Sequence, residues 1–539
     1  MQASRVTLAI VACLAVLGCG TAQGGTGSGV AGDPGSGAEA GDPTTSRGPG
    51  SVSEPGGGPT PASGPEATAP DPSPRASRSG TNAWRLDRPG YGGQIAGYTT
   101  QASGPPGTRL GIKVSTGAPS YGVSAYRIGA YDGGWGSLVW RSGPQPGKTQ
   151  PESVLRPVET RTVVAPWRRS LTVDTSGWEP GYYAFKLRSS TGWDTLMPYV
   201  VSSESAEGTV ALVAPITTWQ AYNRWGGYSL YEGLDGDRRS FAVSFDRPYG
   251  GTTGANDFRT AALPIVVRAE QLGIPLSYFT NVDIHARPGV LSGADGYVSM
   301  GHDEYWTTTM RREVMSARDA GTNLAFLGAN TMYWRVRLED RPTGADRVVV
   351  GYRDDALIDP LRDELPEEAT ARFRDPPAAR PENDLIGMRY ECYPVDADYV
   401  VVSPRWWGFR DTGFDHGDRV PGLIGPEADR VYPGKQTPRP LQVLSHTSYD
   451  CRGVTTSAQS VYYTTPSGAG VFTAGTLRWG CALIDKCEYT LGKRAASFVR
   501  VVTGNLLRGF AKGPVGERHP ARDNVEDFDL PAANLVSAS

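Results

Sequence analysis

The hydrophobic pattern of this chain changes near Glu207, and the change divides its foldable part into two regions. Before this point, short apolar runs with a period of two, such as residues 109–114, alternate with segments rich in Gly, Pro and Ser. Short strands at this spacing are typical of an antiparallel β-sandwich. We therefore predict a β-sandwich domain with an immunoglobulin-like arrangement over residues 84–205.

The sequence pattern after Glu207 predicts alternating strands and helices. Residues 209–214 form a continuous apolar run, as expected for a strand buried on both faces. Alternation of strands with helices predicts βαβ units and a mainly parallel sheet, so we expect a multidomain β plus α/β protein whose α/β domain, at 206–512, is of the amidotransferase or flavodoxin-like kind. Further predicted strands are 241–245, 275–279, 297–300, 322–327, 461–463 and 470–474, and predicted helices are 261–272, 307–320 and 495–508.

Two segments of the second region do not fit this alternation. Residues 341–459 are rich in Pro and in charge, and we interpret them as an insertion in the α/β domain. Residues 513–539 follow the last predicted helix, and we interpret them as a C-terminal tail.

The N-terminus has the pattern of an export signal. One positive charge within residues 1–5 precedes an apolar run at 6–17, which is too short to span a bilayer and has the length of a signal-peptide core. The run ends in Val-Leu-Gly-Cys19, which resembles the lipobox of bacterial lipoproteins. We predict a lipoprotein signal at 1–19 and an extracytoplasmic protein anchored to the bacterial cell surface through lipid on Cys19. The alternative is an ordinary cleaved signal and a secreted protein.

Residues 20–83 contain no Leu, Ile, Met, Phe, Tyr or Trp. Such a segment cannot bury enough apolar surface to offset its chain entropy. We predict a disordered linker rich in Gly, Pro and Ser, which would hold the folded part away from the membrane.

The charge balance and the cysteine content indicate which classes of protein this sequence fits. Lys and Arg number 53 against 56 Asp and Glu, and this balance argues against a nucleic-acid binder, which needs a basic surplus. Once Cys13 and Cys19 are assigned to the signal, an even number of cysteines remains, which favours two disulfides in an exported protein. Three pairings are open, and we favour Cys392–Cys451 with Cys481–Cys487.

Polar side chains follow the predicted parallel strands at the points where ligands bind in open α/β sheets. His302 and Glu304 come just after the strand that ends near Gly301, and their spacing places them on one side of an extended chain. Asn330 follows the next predicted strand, and Tyr222 follows the first. An imidazole beside a carboxylate is suited to acid–base work. The structural alternatives are helix capping by Glu304, a turn at Asn330 and loop packing of Tyr222.

Four segments together resemble the large subunit of N,N-dimethylformamidase, and the resemblance covers most of residues 84–510. The segments are 125–134 (AYRIGAYDGG), 218–231 (TWQAYNRWGGYSLY), 301–306 (GHDEYW) and 323–331 (NLAFLGANT).

The resemblance implies a hydrolase that cleaves the C–N bond of small amides with one mononuclear Fe³⁺ held by two tyrosines and a glutamate. Carried over by motif, Glu304 and Tyr222 are metal ligands, and His302 and Asn330 are catalytic. The second tyrosine corresponds to Tyr183, or less well to Tyr182, which would place the site between the two domains. The family enzyme works with a small subunit; this sequence itself indicates neither a small subunit nor a homo-oligomer.

Two other functions are compatible with the sequence. The first is a non-catalytic cell-surface protein that binds a ligand or glycan, for which exposed Trp135 or Trp140 would provide a platform. The second is an amidotransferase-like domain that has lost its chemistry, since no cysteine follows a strand as a thiol nucleophile would.

Overall fold

The computed structural model describes residues 79–234, 238–251, 255–484, 489 and 491–536. The predicted signal and nearly all of the predicted linker lie outside these residues. The last residues assigned to the linker are instead attached to the folded chain, because the amide of Thr81 donates to the carbonyl of Gly136 at 2.7 Å. Within the described ranges, no helix combines the length and the apolarity that a bilayer crossing requires.

The first region is all β and contains two packed sheets. One sheet has the order β1-β3-β9 and the other β2-β11-β10-β4-β5, with β6 paired to β4. Facing side chains of the two sheets, among them Ile112, Val123 and Phe185, share one apolar core. The strands are β1 Ile95–Thr99, β2 Ser103–Gly104, β3 Arg109–Thr116, β4 Ser120–Tyr131, β5 Gly134–Arg141, β6 Gln145–Pro146, β7 Val154–Leu155, β8 Val163–Val164, β9 Leu171–Asp174, β10 Gly181–Ser189 and β11 Asp194–Val201.

The second region is mixed α/β, as its alternating pattern predicts. Its first strand is apolar and fully buried, which suits the centre of a sheet covered on both faces. The elements up to the predicted insertion are β12 Val210–Ala214, α1 Ile216–Ala221, β13 Ala242–Ser244, α2 Ala255–Asp257, a π-helix Phe258–Ala262, α3 Leu263–Glu270, β14 Leu276–Thr280, α4 Asn281–Ala286, β15 Gly296–Met300, β16 Tyr305–Trp306, α5 Thr308–Asp319, β17 Asn323–Leu327 and β18 Trp334–Arg335.

The remaining elements complete the sheet and cover it. They are β19 Arg337–Arg341, β20 Gly344–Val350, α6 Asn383–Ile386, β21 Arg389–Cys392, β22 Ala397–Val400, β23 Arg419–Ile424, β24 Ala428–Arg430, β25 Leu441–Cys451, β26 Val454–Thr464, β27 Gly470–Thr473, α7 Arg478–Cys481, α8 Lys493–Phe510 and α9 Val515–Arg518, with 3-10 turns at Arg353–Ile358, Pro366–Glu368, Trp407–Phe409 and Val525–Asp527.

A seven-stranded sheet organises this region in the order β14-β12-β15-β17-β27-β26-β25. The pairings from β14 to β27 are parallel, and β26 and β25 add an antiparallel edge. The carboxyl ends of β12, β15 and β17 therefore lie side by side at one edge of the sheet. This edge carries the polar residues that the sequence places after each strand.

Three features of the second region differ from what the sequence suggests. The strand expected at 241–245 is β13, which pairs antiparallel with β20 in a separate sheet. The predicted insertion 341–459 extends too far, because β25 and most of β26 belong to the main sheet. Their hairpin turns through Arg452 and Gly453, both at positive φ, and Arg-Gly lacks the Asn-Gly or Asp-Gly signature of such turns. The predicted tail is packed on the body, since Val515 donates its amide to Asn323 Oδ1 at 2.9 Å.

The two regions pack into one unit through buried polar contacts. The hydroxyl of Tyr182, on β10, hydrogen-bonds to the carbonyls of Leu212 and Phe279 in the main sheet at 2.9 and 2.8 Å. Nearby, the Arg127 guanidinium on β4 pairs with Glu270 on α3 at 2.7 Å. Removal of one partner from a buried ion pair costs about 3–5 kcal/mol, so this pair ties the β region to the α/β region.

The structure contains the predicted disulfide between Cys392 and Cys451, whose Cα atoms are 6.3 Å apart. Cys481 is also disulfide-bonded. Its predicted partner, Cys487, lies outside the described residues.

Replacing Cys392 and Cys451 together by Ser should destabilise the protein strongly. The disulfide joins residues 59 positions apart, and closing a loop of that size removes unfolded-state entropy worth about 4 kcal/mol. Urea unfolding should show the transition at a lower concentration, and the single Cys451→Ser variant should behave in the same way. An unchanged midpoint in both variants would contradict the prediction.

Candidate active site

The turn after β15 presents His302 and Glu304 at the edge of the main sheet. Gly301 starts the turn with φ 78°, and a Cβ there would lie 2.5 Å from the Cβ of Ala261, so only glycine fits. The two predicted side chains lie together, with His302 Nε2 3.3 Å from Glu304 Oε2. Glu304 does not cap the following helix, because Thr307 accepts the hydrogen bond from the N-terminal amide of Met310.

Two phenols converge on the buried carboxylate of Glu304. Tyr222 donates its hydroxyl to Glu304 Oε2 at 2.8 Å, and Tyr231 donates to both carboxylate oxygens at 2.9 Å. The two tyrosine rings stack with centroids 4.3 Å apart. Tyr305 donates to the hydroxyl of Tyr231 at 2.8 Å and so completes a chain of phenols that ends on Glu304.

A buried arginine holds the loop that carries both tyrosines. Tyr222 directly follows α1, and Tyr231 lies nine positions later in the same motif. The guanidinium of Arg247 donates to the backbone carbonyl of Gln220, just before Tyr222, and to the carbonyls of Asn223, Trp225 and Tyr228 between the two tyrosines. Since buried carbonyls require donors, this arginine fixes the loop geometry that brings Tyr231 back to Tyr222.

The structure places Tyr183 away from Glu304, so its expected role as second tyrosine is corrected. Adjacent residues of a strand face opposite sides. Tyr183 points into the core between the two β sheets, where its hydroxyl donates to the carbonyl of Glu179 at 2.7 Å. Tyr182 faces the α/β region but is bound to backbone carbonyls. The tyrosine that joins Tyr222 is Tyr231, and the cluster lies within the α/β region rather than between the regions.

A second carboxylate, Glu427, faces His302 from the segment between β23 and β24. Glu427 Oε2 lies 3.5 Å from His302 Nε2, so the imidazole lies between two carboxylates. Burial opposes a charge on His302, but the carboxylates of Glu427 and Glu304 outweigh it and raise the pKa of His302 to about 10. Burial raises the pKa of Glu427 to about 7. A group that titrates near neutrality can both accept and release a proton.

Asn330 reaches the same place from the end of β17. The ends of β15 and β17 approach closely, because a Cβ on Gly328 would lie 2.0 Å from the carbonyl oxygen of Gly301. Asn330 has φ 54°, and its backbone N–H donates to Asp429 Oδ1 at 2.8 Å. Its side chain lies beside Glu427 and partly offsets the effect of burial on the pKa of that carboxyl.

The electrostatics of the cluster keep the phenols protonated and the carboxylate charged. Burial and the charge of Glu304 raise the pKa of Tyr222 and of Tyr231 well above its ordinary value. Burial disfavours the Glu304 carboxylate, but the His302 imidazolium and the Tyr222 phenol outweigh it and lower the pKa of Glu304. Each phenol therefore retains the proton that it donates to the carboxylate.

Several buried polar atoms around the cluster have no hydrogen-bond partner among the described residues. They are His302 Nε2, Asn330 Oδ1, Thr331 Oγ1, Glu427 Oε2 and Asp429 Oδ2. In the described part of the chain, His302 Nε2 and Glu427 Oε2 have only the ion-pair contacts given above. A buried polar group without a hydrogen bond costs about 1–3 kcal/mol, and folds retain several such groups in one place where function requires them.

A family model described as "N,N-dimethylformamidase beta subunit-like, C-terminal" matches residues 122–489, more than half of the chain. The protein belongs to this family. A search of the curated proteins found no match. The matched range of this dimethylformamidase-like protein contains every residue of the cluster described above.

No role was assigned from the sequence to Tyr231 or Glu427, which contact Glu304 and His302. Tyr231 lies inside the quoted motif 218–231, and a second tyrosine so close to Tyr222 was the signal available. Glu427 had no local signal, because it lies in the Pro-rich stretch that we interpreted as an insertion.

The donor set is compatible with a single hard cation in this dimethylformamidase-like protein. Within the described ranges, no group of three or more His, Cys, Asp or Glu side chains is placed to hold a metal ion. The cluster instead offers the Glu304 carboxylate and two phenol oxygens, each of which lies within 3 Å of a carboxylate oxygen. A cation that replaced the two phenolic protons would find the same side chains in place, so the residues fit the ferric ion that the family resemblance implies.

Proposed function

We propose that this protein is a metal-dependent hydrolase of amide C–N bonds, with one ferric ion held by Tyr222, Tyr231 and Glu304. The observation that carries the proposal is the convergence of these three oxygens beside an imidazole and a second carboxylate. Anionic oxygen donors suit a hard cation and leave positions for water and substrate. When bound, such an ion polarises the amide carbonyl and lowers the pKa of water.

The other residues of the site supply proton transfer. Glu427 is placed to take a proton from the attacking water as the new C–O bond forms. His302, charged between Glu304 and Glu427, is placed to give a proton to the amine nitrogen as the C–N bond breaks. The proton held on Glu427 then restores His302, and the products are a carboxylic acid and an amine. Asn330 lies beside Glu427, and its side-chain amide would donate to the developing oxyanion.

The proposed substrate is a small amide. The Glu304 side chain is buried, and the side chains of His302 and Glu427 are only 11 and 13% exposed. Because these three side chains are so little exposed, the site favours a compact substrate over a peptide or a polymer.

Purified protein expressed with iron provides the test. We expect about one iron per chain by elemental analysis, a visible tyrosinate-to-iron absorption band, and release of amine from at least one member of a panel of small amides. Colourless protein free of iron would overturn the proposal. Protein that binds iron but releases no amine would support the metal site and overturn the proposed hydrolase activity.

We also propose the finer features of fold and location that the sequence suggests. The order β14-β12-β15-β17 corresponds to the 2-1-3-4 order of flavodoxin-like sheets, and the two sheets of the β region support an immunoglobulin-like relation. Anchoring through lipid on Cys19 rests on the sequence pattern alone. Loss of membrane fractionation in a Cys19→Ser variant would support it.

One observation favours the alternative of a non-catalytic glycan-binding protein. Trp140 is buried in the β core at 4% exposure, so it cannot form a platform, but Trp135 lines a cleft of about 1100 Å³ between the two regions. Glycan-array binding that survives Glu304→Ala in protein without iron would favour this alternative. Loss of iron and of amide hydrolysis in the same variant would favour the hydrolase.

A further inference from the structure

A guanidinium from the predicted insertion lies against one of the two proposed tyrosine ligands. Arg353 follows β20, and its Cζ lies 3.9 Å from the ring centroid of Tyr231. It also lies 4.7 Å from the centroid of the Trp334 ring. Trp334 is bound to Glu304, because its backbone amide donates to the Glu304 carbonyl at 2.9 Å. The cation is therefore in contact with the aromatic wall of the cluster.

Several contacts hold Arg353 in this position. Its guanidinium donates to the carbonyl of Leu230, the residue before Tyr231. Its backbone amide donates to the carbonyl of Thr370 at 2.8 Å, and its φ of 58° is an unusual conformation for a residue that is not glycine. Strained backbone conformations of this kind persist where the surroundings impose them, often at functional sites.

The contact with Tyr231 acts on a ring that the proposed function uses as a ligand. A cation over an aromatic face is attracted by the electrons of the ring, and the attraction increases when the phenol gives up its proton. It also withdraws electron density from the phenol oxygen. Arg353 therefore affects both the position of the ring and its strength as a donor.

We propose that Arg353 is a positioning residue of the iron site, which fixes the Tyr231 ring and places a positive charge against the phenolate form of this ligand. The inference rests on the proposed function. It assigns a role in the site to a segment outside the motifs that carry the family resemblance.

The test compares Arg353→Met with Arg353→Lys in the full-length, iron-loaded protein. Loss of the cation raises the energy of the phenolate electrons, so the visible band of Arg353→Met should move to longer wavelength. Iron should also be removed at an about tenfold lower chelator concentration, as expected for the loss of a desolvated cation–π contact. Arg353→Lys keeps the charge and should show a smaller band shift.

Arg372→Met is the matched control. Arg372 lies 5.2 Å from the Trp334 ring, and its ion pairs are with Asp354 and Asp375, so this variant should keep the wild-type band and the wild-type resistance to chelator. Thermal unfolding of all variants separates loss of folding from loss of the contact.

Each outcome decides a different question. An iron-loaded wild type together with an Arg353→Met variant that keeps the same band maximum and the same chelator resistance would overturn this inference and leave the proposed function standing. A wild type that binds no iron would overturn both. If Arg353→Met loses iron more easily but its remaining iron-loaded fraction keeps the wild-type band maximum, Arg353 has only a structural role. That result would overturn the electronic part of the inference.

Discussion

Glu304→Gln should give a folded protein that neither retains iron nor hydrolyses amides. Glu304 is 2% exposed and accepts hydrogen bonds from both phenols, so its charge is the centre of the oxygen cluster. A neutral amide cannot supply that charge to a cation. Loss of an outer partner of a metal ligand typically costs about 10–100-fold in metal affinity or activity, and loss of a ligand should exceed this range in both iron affinity and kcat/KM.

Glu391→Gln is the control for the loss of a buried carboxylate. Glu391 is buried, and it pairs with Arg430 at 3.1 Å, so this variant should lose stability while keeping iron and activity. Elemental analysis, the visible band and a thermal unfolding curve should be measured on both variants. A Glu304→Gln protein with wild-type iron content would contradict the account.

Glu427→Gln should separate metal binding from catalysis. The three proposed oxygen ligands do not include Glu427, so iron and the visible band should be retained. The variant keeps the shape of the side chain and its contact with Asn330 but cannot accept a proton from water. General acid–base catalysis contributes about 10²–10⁴-fold, and we expect kcat to fall within this range with a small change in KM.

The control for this variant is Asp396→Asn in the same part of the chain. Asp396 is largely exposed and pairs with Arg478, so its loss should leave kcat unchanged. Loss of iron in Glu427→Gln would instead make Glu427 a ligand. A wild-type kcat in Glu427→Gln would remove it from the proton transfer.

The part of the site at the carboxyl ends of the parallel strands could be predicted, because it follows from the local hydrophobic pattern of the sequence. Continuous apolar runs mark buried parallel strands, and the polar residues just after them, His302, Glu304 and Asn330, must lie at one edge once β15 and β17 are neighbours. The loop motif with Tyr222 follows the first of these strands. This part of the site depends only on strand order and on the ends of the strands.

The rest of the site depends on contacts that local pattern does not determine. Tyr182 and Tyr183 are adjacent on one strand, and only the packing of the sheets decides which of them faces the α/β region. Glu427 and Arg353 reach the cluster from the Pro-rich stretch, where turns rather than periodicity set the path of the chain. The long hairpin of β25 and β26 was missed for a similar reason, since its turn at Arg452 has no typical turn signature.

The most direct test of the central claim is an anomalous difference map, recorded at the iron absorption edge, from crystals of the iron-loaded protein. We predict one strong peak, within bonding distance of the phenol oxygens of Tyr222 and Tyr231 and of a carboxylate oxygen of Glu304. A map with no peak at these three oxygens, or with its main peak at other side chains, would contradict the account.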